Sequence, residues 1–181
     1  MFNVPYARSV FDCAFLQVPQ GKIDKAVNFL IRNNMGHGFR TTGKKVGFKT
    51  DVQGREYAYA VRYWNNLPEQ ISEAAIRLKG AQIENRSVFS LLERYNHPNV
   101  LIYADPPYVL STRFKKQYKH EFTEQDHIRL LEMLKQHKGY VIISGYDTEL
   151  YNKMLEGWNT AIKSERAQNS TRRIEKIWMN F

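Results

Sequence analysis

Apolar positions in the first part of the chain recur at helical intervals. The segment 7–16 predicts a short helix. Ile23, Val27, Leu30 and Ile31 predict a second helix over 24–33, with Asp24 as its cap. The aromatic-rich stretch 56–64 predicts a third helix, and Pro68 opens a fourth over 69–78 with Ile71, Ala74, Ala75 and Leu78 turned inward. Lys79-Gly80 closes that helix. From residue 80 onward, short apolar runs alternate with helical patterns. Strands are predicted at 81–84, 100–104 and 140–143, and an antiparallel pair at 160–167 and 173–180 turning through 168–172. Helices fall between them. Val88, Leu91 and Leu92 lie on the first, with Ser87 placed to cap it. Ile128, Leu131, Met133 and Leu134 lie on the second, opened by a Thr123–Asp126 capping box and stopped by Gly139. Leu150, Tyr151, Met154 and Leu155 lie on the third, capped by Asp147 or Thr148 and running to Gly157. The order from residue 81 is β-α-β-α-β-α-β-β, an α/β pattern. A boundary is therefore expected between a helical lobe, 1–79, and an α/β part, 80–181.

The stretch Val100 to Tyr108, VLIYADPPY, carries the candidate chemistry. Its apolar run reads as a buried central strand of a parallel sheet. Pro106 and Pro107 lack backbone donors and must end that strand. The carboxyl ends of such strands are where ligands bind in open α/β sheets. An acid, two stiffly held carbonyls and an aromatic ring suit one task in particular. The exocyclic amine of a nucleobase is a poor nucleophile, because its lone pair is delocalised into the ring. Acceptors that hold its hydrogens favour a tetrahedral nitrogen. Asp105 and the carbonyl of Pro106 are such acceptors, and Tyr108 can stack on an extruded base. A plain strand-to-loop turn reads the same way at the level of Asp-Pro alone. Ser144-Gly145-Tyr146 ends the next strand and lies beside this edge if the two strands pair.

Charge narrows the partner. The 181 residues carry a net charge of +9, which favours an anionic ligand and most simply nucleic acid. Cations concentrate in two polar stretches. The glycine-rich 35–54 holds Arg40, Lys44, Lys45 and Lys49, and 109–121 holds Arg113 and Lys116. Both read as DNA-contacting loops, the second also as a flap over an extruded base. Solvated connectors are the alternative for each. The lone Cys13 excludes an intrachain disulfide and points to a reducing, cytoplasmic setting. The five histidines stand at no ligand spacing, so no metal is expected. No apolar run is long enough to span a membrane.

VLIYADPPY resembles the catalytic motif of the Dam-type (D12 class) DNA adenine N6-methyltransferases. Arg77 to Arg86 resembles the segment preceding that motif in phage and prophage members. Phe122, Asp126-His127, Lys138-Gly139, Ser144-Gly145-Tyr146, Leu150-Tyr151 and Gly157-Trp158 follow in the family's order, and RIEKIWMN at 173–180 resembles its closing strand. The likeness is close over about 70–181 and weak before it. It implies a Rossmann-like methyltransferase sheet, here partial, that ends in an antiparallel hairpin beside a mostly helical recognition lobe. It implies methyl transfer from S-adenosylmethionine to adenine N6 in double-stranded DNA, as in restriction-modification. Asp105, Pro106, Pro107 and Tyr108 would be catalytic, and Asp105 and Ser87 would face the cofactor. Ser87 stands where the family commonly has an acid. Asp105 favours adenine over cytosine N4 or glutamine targets, whose enzymes more often begin this motif with Ser or Asn.

One family feature is missing. No F-x-G-x-G strand-loop precedes the recognition region; Gly36-His37-Gly38 has no strand before it. In the family's sheet the strands of that part lie between those expected here at 81–84 and 100–104. The expectation is a fragment, a degenerate prophage gene or half of a split enzyme, needing an amino-terminal part or a second chain to bind cofactor well. A DNA-binding remnant without catalysis, or methylation of RNA, is the rival reading.

Overall fold

The structure is a computed structural model, which describes residues 3–38, 45–51, 58–109, 120–166 and 172–181. The chain divides into two compact units, Met1–Ile83 and Glu84–Phe181.

The first unit is built on three helices, α1 (Arg8–Leu16), α2 (Lys22–Met35) and α3 (Tyr59–Leu78). Their inward residues Phe11, Ala14, Ile31, Met35, Trp64 and Leu67 form one core. Burial of these six side chains is the main stabilisation of a unit with no sheet among its described residues. The Arg32 guanidinium closes the end of α1, donating from Nε to the Ala14 carbonyl at 2.6 Å while lying over the Phe15 ring. Two sequence expectations are corrected here. Gly21, not Asp24, caps α2; Asp24 lies in the first turn and its carboxylate accepts from the Gln20 N–H at 3.2 Å. The two helices expected to meet at Pro68 are one, with Pro68 inside it. Pro68 is buried beside Trp64 and Leu67, and that packing outweighs the backbone bond the proline forfeits. Trp64 is fixed in turn by its indole N–H, which donates to the Val4 carbonyl at 2.8 Å.

The second unit contains α4 (Val88–Arg94), β1 (Leu101–Ala104), α5 (Glu124–Lys135), β2 (Tyr140–Tyr146), α6 (Glu149–Met154), β3 (Asn159–Arg166) and β4 (Arg172–Met179). The strands form one mixed sheet in the order β1-β2-β4-β3. β1 and β2 are parallel, with Leu101 opposite Tyr140 and Ala104 opposite Ile143. β4 runs antiparallel to both of its neighbours. Of the hairpin's turn, 167–171 lie outside the described residues.

Helices α4, α5 and α6 pack on one face of this sheet. Leu92, Leu130, Leu131, Leu134, Tyr151 and Leu155 meet Val141, Ile143 and Trp178 there. Alternation along the strands sends the other residues to the opposite face. On that face Leu101 is 56% exposed, Tyr103 63% and Tyr140 59%. This corrects the reading of 100–104 as a buried central strand. Among the described residues β1 is an edge strand, paired only with β2 and covered on one side only. The expected strand at 81–84 is also absent: these residues are irregular and exposed. Among the described residues no strand pairs with them, and the exposed Ile83 cannot hold a strand against solvent.

Candidate active site

The site begins where β1 ends. Pro106 and Pro107 cannot pair, so the chain leaves the sheet after Ala104. Ile102 and Ala104 pack against the core before the turn, and Val109 packs against it after. The turn is thus anchored on both sides. Asp105 is exposed between them, while Pro106, Pro107 and Tyr108 are half-buried.

Parallel pairing brings the end of β2 alongside. Ala104 faces Ile143, so one further step places Ser144 beside Asp105. The Ser144 hydroxyl lies 2.8 Å from the Asp105 Oδ1 and 3.3 Å from the Ala104 carbonyl. Two residues on, the Tyr146 ring sits 4.3 Å from that of Tyr108, tilted by 56°. The Asp105 carboxylate and an aromatic wall therefore share one sheet edge. This is an arrangement for holding a flat ring that carries hydrogen-bond donors.

A family model described as D12 class N6 adenine-specific DNA methyltransferase matches residues 20–171. The chain belongs to this family. The match includes most of the helical unit and all of the strand-turn that carries Asp105. No curated protein matches the chain by sequence. The mixed sheet closing in an antiparallel hairpin is consistent with part of a methyltransferase fold.

Behind the Asp105 turn, the covered face of β2 is braced by α5 and α6. The buried His127 Nδ1 lies 2.9 Å from the Tyr151 hydroxyl, and burial pushes the Tyr151 phenol well up. The Tyr151 ring packs 5.3 Å from Trp178. Gly145, between Ser144 and Tyr146, lies directly over these two rings. α5 is held at its start by the expected box: Thr123 accepts from the Asp126 N–H, and Asp126 accepts from the Thr123 N–H and hydroxyl. Those bonds hold the Asp126 carboxyl below the usual carboxylate range.

The other sequence-derived candidates fare unevenly. Ser87 is exposed and stands at the N-cap of α4, but its side chain makes no cap bond; its carbonyl accepts from the Ser90 hydroxyl at 2.8 Å. Arg40, Lys44, Arg113 and Lys116 lie outside the described residues. The described end of the glycine-rich stretch is pinned rather than loose. His37 and Lys49 donate backbone N–H groups to Gly47 and Met35. A Cβ on Gly36 would meet the Arg32 carbonyl and Val46 at 2.6 Å. Lys45 is exposed and pairs with Asp12 at 2.7 Å. The Lys49 ammonium donates to the Asn34 carbonyl at 3.2 Å, an attachment to the end of α2.

Three residues are added to the candidates by the folded chain. Two are Ser144 and Tyr146, whose sequence signal was their place at the end of the next strand. Arg8 is the third, exposed with its guanidinium 4.9 Å over Phe48, a contact across forty positions that no local pattern announces. Among the described residues no group of His, Cys, Asp and Glu could hold a metal ion, and no helix is long and apolar enough to cross a membrane.

Proposed function

We propose that this chain presents the N6 amine of an adenine in DNA for methylation, with Asp105, Pro106, Pro107 and Tyr108 as the catalytic edge. The observation that carries this reading is the exposed Asp105 at the carboxyl end of β1, followed by the rigid turn and the Tyr108 ring. The Asp105 carboxylate accepts one amine hydrogen, and the Pro106 carbonyl accepts the other. Both pull the nitrogen lone pair out of conjugation and leave it free to attack. Tyr108 stacks on the base that has left the helix, offsetting the cost of unstacking it.

Family members use S-adenosylmethionine, which supplies a methyl group on a positively charged sulfur when bound. The described residues suit it in chemistry: an exposed carboxylate, Asp105, stands at the end of a strand face bearing the exposed Leu101 and Tyr103. Ser87 would add a hydroxyl acceptor and donor, free of capping duty. Lys45 and Arg8 supply exposed cations for phosphates on the helical unit, and Arg40, Lys44, Arg113 and Lys116 extend that set in sequence. Lys49 belongs to it only if the ammonium leaves the Asn34 carbonyl.

The deciding experiment is methyl transfer from labelled S-adenosylmethionine to unmethylated genomic DNA, with base analysis of the product. Transfer by the chain alone is expected to be weak, with its label in N6-methyladenine, and to fall further in Asp105→Ala with DNA affinity held within a few-fold. DNA binding by the wild type without any transfer would sink the enzymatic reading in favour of a DNA-binding remnant.

A further inference from the structure

We propose that Ser144 is a positioning residue that fixes which oxygen of Asp105 faces the substrate. The inference rests on the reading of Asp105 as the amine acceptor. β2 is apolar from Tyr140 to Ile143, and Ser144 is its first small polar residue. The register sets it next to Asp105, and the hydroxyl approaches Oδ1 to 2.8 Å. The same oxygen is 3.3 Å from the Ala104 carbonyl. A serine has one proton to donate, so the two acceptors compete. The carboxylate wins, being nearer and charged.

The consequence is steric and electronic at once. Asp105 is exposed, and an exposed aspartate turns among staggered rotamers. Ser144 ties down one carboxylate oxygen, and the other is then directed away from β2. Among the described residues nothing else engages Asp105. The directed oxygen is the one that can meet an amine hydrogen while the ring lies against Tyr108. Ser144 itself need never touch the base.

The test uses the whole chain as wild type, Ser144→Ala and Ser144→Thr. Turnover is followed with labelled methyl donor and DNA, and Asp105 χ1 populations are read from three-bond couplings between 15N and side-chain 13C in solution. Ser144→Ala should lower kcat by about 10–100-fold, the scale of a misplaced catalytic group, with KM for DNA nearly unchanged. Ser144→Thr, which keeps the hydroxyl, should recover most of it. Asp105 should hold one rotamer in the wild type and Ser144→Thr, and average in Ser144→Ala. A Ser144→Ala protein with wild-type kcat, or with Asp105 still in one rotamer, overturns the proposal and reduces the contact to a closure of the strand end. A wild type without turnover but with Asp105 held by Ser144 overturns the methyltransferase reading and leaves the positioning contact standing.

Discussion

The rings of Tyr108 and Tyr146 lie 4.3 Å apart at 56°, closing one side of the Asp105 turn. Tyr108 comes from the turn after β1, Tyr146 from the last position of β2, and only the parallel pairing of these strands brings them together. In the proposed role of Tyr108 the contact would hold the stacking ring still. Tyr108→Ala is expected to lower kcat/KM for DNA methylation by about 5–150-fold, the worth of one base–aromatic stack. Tyr108→Phe keeps the ring and should stay close to wild type. Equal damage from both variants would move the role from the ring to the hydroxyl.

Gly139 lies where the chain before β1 crosses the start of β2. A Cβ there would clash with the Val100 carbonyl oxygen and lie 2.8 Å from that of His97. Both neighbours are backbone and cannot turn aside. Gly139→Ala should therefore cost about 1–3 kcal/mol or more, since overpacked sites relax only by moving the chain. Urea denaturation of the variant measures this. Unchanged stability would mean that the 97–100 segment can shift without loss.

The start of α5 gives a pH dependence. Removing the cap in Thr123→Ala should cost about 1 kcal/mol at neutral pH. The Asp126 carboxyl is lowered in the folded state by its bonds to Thr123, the side-chain bond first. The unfolded chain thus binds this proton more readily than the folded one. The stabilisation is complete above the ordinary carboxylate range and is lost as pH falls through the lowered folded value. The gap between wild type and Thr123→Ala, measured by thermal melts, should narrow on acidification. A gap that widened toward low pH would contradict this linkage.

Much of the second unit was legible because its signals are local. The Thr123–Asp126 box needs four residues, and Pro106-Pro107 ends a strand by its own covalent structure. What misled were patterns that need a partner to settle. The run 100–104 reads as buried on both faces, since Leu101 and Tyr103 are as apolar as Ile102. Apolar character states a preference, and whether it is met depends on what lies alongside. Residues 81–84 failed as a strand for the same reason, lacking a described neighbour. Pro68 misled in the opposite direction. Its missing donor is a local cost, and its burial beside Trp64 is a gain that only packing reveals.

The proposed catalytic edge followed the same division. By itself the sequence determined that a strand stops at Asp105 and that an acid, two prolines and an aromatic ring follow, because chain chemistry dictates both. It also determined the family and the excess of positive charge. Only the tertiary structure decided what stands beside those residues. Ser144 meets Asp105 and Tyr146 meets Tyr108 through a pairing that joins positions 38 or more apart in the chain. It also decided that Lys49 is bound to the end of α2, and that Leu101 and Tyr103 face outward. Register, covered face and hydrogen-bond partner are relations between distant segments. They come into being when the entropy lost in joining those segments is outweighed by burial, which no local window of the chain records.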